Sequence, residues 1–80
     1  METKDQQTGQ KEFLAALGQR IRDARLKKDF TQEEVCFAAS MSQHYLSQVE
    51  SGHRNITVGA LRRIAGVLGV SVAELLAGLE

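Results

Sequence analysis

The sequence has a single cysteine, Cys36, so no disulfide can close within it and no set of thiols is available to hold a metal. One lone thiol and no secretory pattern at the N-terminus point to a reducing cytoplasm. No apolar stretch approaches the ~20 residues that a membrane-crossing helix needs. Nor is there an excess of charge of either sign, with ten Lys and Arg against ten Asp and Glu. That balance alone speaks against nucleic acid as a partner, although distribution matters more than the sum. Internal repeats of 20–50 residues and strand-like alternation are both missing, which excludes solenoids and sheets. At 80 residues the chain makes one small domain that buries only about 60% of its unfolded surface. Without disulfide, metal or size, tight helix packing or dimerisation has to supply the stability.

A hydrophobic content of 42% is that of a globular domain rather than a disordered chain. Charge is polarised along it. Arg20, Arg22, Arg25, Lys27 and Lys28 face only Asp23, whereas beyond Ile64 the only charges are Glu74 and Glu80. Between Ser40 and Arg63, three arginines and two histidines stand against Glu50 alone. Such charges fit solvated helix faces as well as a polyanion-binding surface.

Residues 1–10 are polar and aperiodic and read as a flexible arm, leaving residues 11–80 as the folded domain. Phe13, Leu17, Ile21 and Ala24 then recur at helical spacing, and this first helix should end near Lys28 with Asp29 in a left-handed turn. Thr31, with Glu34 three residues on, forms a capping box for a second helix that ends at Ala39. Its inward face is Val35, Cys36 and Ala39, while Phe37 points away. Ser42 caps a third helix running to Glu50. There Leu46, Val49 and Glu50 share one side, and Gln43, His44, Ser47 and Gln48 share the other. Thr57 caps a fourth helix with the stripe Ile56, Leu61, Ile64, Ala65 and Leu68. Gly69 closes it, and Ser71 caps a fifth lined by Val72, Leu75, Leu76 and Leu79. The expected architecture is all-α, with five short helices.

Two helices joined by a turn of about three residues, the second with a polar outer face, have the geometry of a helix-turn-helix. A helix entering the major groove needs flat, forked donors and acceptors near its start, and Gln43 can bond adenine through N6 and N7. Mere solvation of a polar face is the competing reading. A hydrolase triad from His44, Ser42 or Ser47, and Glu50 is excluded by the want of a cleft, an oxyanion site and a buried orienting acid. His44 and His53 lack the i, i+4 spacing of a helical metal pair. No cofactor, metal or small-molecule ligand is therefore expected.

The run TQEEVCFAASMSQHYLSQVESG, Thr31 to Gly52, resembles the Cro/lambda-repressor-type (Xre) helix-turn-helix family. The likeness continues upstream through IRDARLKKDFTQ and downstream through LRRIAGVLGVSVAELL. It implies a five-helix lambda-repressor-like domain, a homodimer that binds double-stranded operator DNA and regulates transcription. By the same likeness Gln43, His44, Ser47 and Gln48 would read bases. Gln32, Ser42, Tyr45, His53, Arg54 and Asn55 would hold phosphates, with Gln32 also bracing Gln43. Arg25 and Glu50 match an internal salt bridge of the family. The stretch ESGHRNIT resembles controller proteins of restriction–modification systems, a pattern shared with phage-repressor-like autoregulators. Phe37, Leu76 and Leu79 are candidates for the dimer interface. Four positions depart from the family pattern: Ser40 and Asp29 replace common glycines, Ile56 a frequent proline, and Cys36 an alanine. An antitoxin or other protein-interaction module on the same fold is the alternative, since fold does not fix function.

Overall fold

The computed structural model describes residues 2–79, with side chains from Gly9 onward. Five helices follow one another: α1 (Glu2–Lys27), α2 (Gln32–Ala39), α3 (Gln43–Glu50), α4 (Val58–Leu68) and α5 (Val72–Leu76). No strand occurs among the described residues. Each of α2 to α5 begins at a hydroxyl cap. Thr31, Ser42, Thr57 and Ser71 accept the N–H of the residue three positions on, and Glu34 and Glu74 complete capping boxes. These bonds satisfy backbone donors that a helix start leaves free.

The ends are equally local. Phe30 N–H donates to the Arg25 carbonyl, Met41 to Cys36, His53 to Gln48 and Val70 to Ala65, at 2.8–3.1 Å. The residue before each donor is left-handed: Asp29 (φ 60), Ser40 (φ 57), Gly52 (φ 79) and Gly69 (φ 71). This six-to-one closure reverses the chain within a few residues, which is why the connections are short. Two of these positions are not glycine, and each left-handed non-glycine costs roughly 1–2 kcal/mol. At Ser40 help comes from α4, where Arg63 Nε donates to the Ala39 carbonyl at 2.8 Å.

Leu17 and Ile21 of α1, Val35, Cys36 and Ala39 of α2, and Leu46 and Val49 of α3 meet Leu61, Ile64, Ala65, Leu68 and Leu75 in one core. α1 packs on α3 and α5, and α2 packs on α3 and α4. The approach of α1 to the end of α3 depends on Gly18. A Cβ there would run into the carbonyl oxygens of Val49 and Glu50. Gly52, already left-handed, would put a Cβ 2.8 Å from the Ala15 Cα. The two glycines let α1 fix where α3 ends.

Two expectations change. The arm expected over residues 1–10 is helical from Glu2, a prolongation of α1 whose described residues Gly9 and Gln10 are exposed. Once the packed turns around Leu17 and Ile21 nucleate the helix, extension through Glu, Lys and Gln costs little. At the other end α5 stops at Leu76, and Gly78 turns the chain with φ 76. Leu76 and Leu79 lie half-buried against the core.

Candidate nucleic-acid interface

Four residues of α3 face outward: Gln43, His44 and Ser47 are exposed and Gln48 is half-buried. The helix carries one acid, Glu50, and it is turned inward with its side chain only 3% exposed. Arg25 grips it with both arms, Nε to Oε2 at 2.7 Å and Nη2 to Oε1 at 3.0 Å, and Gln32 Nε2 donates to Oε1 at 3.0 Å. Arg25 Nη1 reaches the Phe30 carbonyl at 2.8 Å. The hydrogen bond to Glu50 raises the Arg25 pKa above its ordinary value, with burial opposing. One buried node thus ties the end of α1, the start of α2 and the end of α3. It also removes the only anion from the outer face of α3. Breaking such a pair from one side costs about 3–5 kcal/mol, because the other charge is left buried and unmatched.

The loop after α3 is tied back to it. Arg54 donates to Gln48 Oε1 from Nε (3.0 Å) and Nη2 (2.6 Å). Its guanidinium lies over the Tyr45 ring, 5.3 Å from the centroid, a cation–π arrangement. The Tyr45 hydroxyl in turn accepts the Thr57 N–H at 3.4 Å. Ser51 Oγ is 3.1 Å from the Gln48 carbonyl and 3.0 Å from His53 Nδ1. His53, Arg54 and Asn55 are all exposed beside the last turn of α3.

The structure therefore gathers Gln43, His44, Ser47, Gln48, His53, Arg54 and Asn55 at one helix and its following loop. Ser42 stands at the same helix start, its Oγ accepting the Tyr45 N–H at 3.0 Å. Gln32 is placed differently from the expectation. Its amide donates to Glu50 rather than to Gln43, because the carboxylate is a charged acceptor within reach and Gln43 points outward. The Arg54–Gln48 link and the Arg63 cap on α2 went unforeseen. The first spans a reversed turn and the second joins α4 to the end of α2 across 24 residues, and helical spacing gives no signal for either. Against the expectation that no buried acid stands near His44, Glu50 is buried, and its carboxylate is taken by Arg25 and Gln32. No helix among the described residues is long and apolar enough to cross a membrane.

A family model described as helix-turn-helix matches residues 21–75. The chain belongs to the helix-turn-helix family. Among its relatives, an uncharacterized HTH-type transcriptional regulator, y4dJ of Sinorhizobium fredii, is 46% identical over 74% of this chain and 77% of its own length. The control protein C.BamHI of Bacillus amyloliquefaciens is 35% identical over 74% of each chain. The biofilm master regulator SinR, solved in complex with DNA, superposes with a TM-score of 0.72 at 34% identity, covering 75% of this helix-turn-helix chain and 97% of the SinR chain in that structure.

Proposed function

We propose that this helix-turn-helix protein is a transcriptional regulator that binds double-stranded DNA as a homodimer, one α3 per half-site in the major groove. The observation that carries the reading is the outer row of α3: amide, imidazole and hydroxyl groups at its N-terminal half, with the one acid turned away and bonded inside. That row can approach base edges without facing phosphates with a negative charge. In this reading Gln43, His44, Ser47 and Gln48 meet bases. His53, Arg54 and Asn55 lie along the backbone with Gln32, Ser42 and Tyr45, contacts that position without specifying. A single domain this small reads few base pairs, and two-fold pairing doubles the readout with half-sites about one helical turn apart. The relatives named as a control protein and as transcriptional regulators support a restriction–modification controller or similar autoregulator, acting in the cytoplasm. The protein is not an enzyme in this reading and takes no cofactor.

Gel-shift titration of wild type and Gln43→Ala against a selected duplex and a random duplex tests the base-reading assignment. A bidentate contact is worth roughly 1–3 kcal/mol of discrimination, so Gln43→Ala should lose about tenfold or more on the selected duplex and little on the random one. Equal losses on both would sink it. Phe37, 91% exposed on α2, favours a second reading as a protein-interaction module. Absence of any shift at low salt would favour that reading.

A further inference from the structure

Arg54 was expected to touch only the sugar-phosphate backbone, and the geometry points to a second role. We infer that Arg54 sets which base Gln48 reads, by holding the oxygen of its amide and leaving only the NH2 free. The inference rests on the DNA-binding reading above.

A free glutamine head carries an acceptor and a donor, the pair that matches adenine, whose N6–H2 donates and whose N7 accepts. Here Gln48 Oε1 receives two guanidinium N–H groups, at 3.0 and 2.6 Å. A carbonyl oxygen has two lone pairs, and both are taken. A guanidinium only donates, so whichever way the amide is turned, its oxygen must face Arg54. Arg54 is itself placed by the Tyr45 ring, and Tyr45 by the Thr57 N–H at the start of α4. The exposed edge of Gln48 is therefore a pure donor. Guanine offers two acceptors in the major groove, O6 and N7, whereas adenine offers one acceptor beside a donor that would now go unpaired. Arg54 is a positioning residue that converts an adenine-type reader into a guanine-type one.

The test is base preference, which a phosphate clamp does not alter. Bound duplexes are selected from a random pool with wild type, Gln48→Ala, Arg54→Met and Arg54→Lys. The position read by Gln48 is the one whose preference flattens in Gln48→Ala. Dissociation constants are then measured for all four bases there. Wild type should prefer guanine over adenine at that position by about tenfold, the scale of one good base contact. Arg54→Met, which keeps the stem and removes the donors, should bring the ratio to one or below. Arg54→Lys keeps the charge for phosphate but cannot present the paired donors, and should lower the ratio too. A uniform loss across the four bases in both Arg54 variants, a wild-type preference for adenine, or no position flattened by Gln48→Ala would each overturn the inference while leaving DNA binding standing. Failure of wild type to select any duplex would remove the DNA-binding reading and this inference with it.

Discussion

Cys36 packs among apolar neighbours in the middle of α2, its Sγ 3.4 Å from the Ser42 carbonyl across the turn. Burial pushes its thiol pKa up, and Glu50 adds to that more than Arg25 subtracts. A thiol with a raised folded pKa is a stabilising feature below the ordinary thiol pKa, because folded and unfolded chains are then both protonated. That contribution is lost as pH rises through the folded pKa, since only the unfolded chain ionises readily. Thermal melts should therefore weaken progressively above about pH 8.5, the ordinary thiol range, and Cys36→Ala should flatten that alkaline loss. In the native chain the thiol should react with a thiol-specific reagent only at the rate of unfolding. Rapid labelling at neutral pH would contradict a buried, protonated Cys36. At this scale the two faces of α3 were legible, since 100° per residue places Gln43, His44 and Ser47 away from Leu46 and Val49, whereas half-buried Tyr45 was assigned to neither. The hydrogen bonds of Gln32 and Gln48 were not, because each is decided by which of several partners comes within 3 Å.

Helix starts were legible for a physical reason: a cap is a contact across three residues, and Thr31 with Glu34 or Ser71 with Glu74 carries its own geometry. The left-handed turn at Asp29 was legible in the same way. What escaped were the prolongation of α1 to Glu2, which continues a helix nucleated further along, and two features decided by tertiary neighbours, the short α5 and the Arg63 bond to the Ala39 carbonyl. Gly18 belongs to this second group. In sequence it is an ordinary glycine inside a helix, where Ala would usually be better by about 0.8–1.0 kcal/mol. In the fold a Cβ at that point meets the carbonyl oxygens of Val49 and Glu50, and backbone cannot move aside as a side chain would. Gly18→Ala should therefore destabilise, by about 1–3 kcal/mol as for other overpacked sites. For a domain of this size that is a fall in Tm of roughly 4–8 °C per kcal/mol. Because the clash falls on the last turn of α3, selected-duplex affinity should also drop at temperatures where the variant remains folded. A variant with an unchanged or higher Tm would show that α1 does not set the end of α3 in this way.

The whole molecule has little charge to spend on indiscriminate attraction, with equal numbers of acids and bases, so specificity has to come from geometry repeated by symmetry. Two copies of α3 read twice the bases only if a dimer holds them one helical turn apart. Among the expected interface residues, Leu76 and Leu79 lie half-buried against the core at the C-terminal end, contiguous with buried Leu75. The exposed part of that pair is the surface through which we expect the dimer to form. A lysine at 76 can lay its methylene stem along the core and keep its ammonium in water, so the domain should survive while the pairing surface gains a charge. Leu76→Lys should sediment as a monomer at concentrations where wild type is a dimer, with an unchanged helical circular dichroism spectrum. Its binding to a two-half-site duplex should fall to the level of a single half-site, losing the gain from tethering two weak contacts. A Leu76→Lys chain that stays dimeric would move the interface to Phe37, where the same sedimentation measurement on Phe37→Ser decides it.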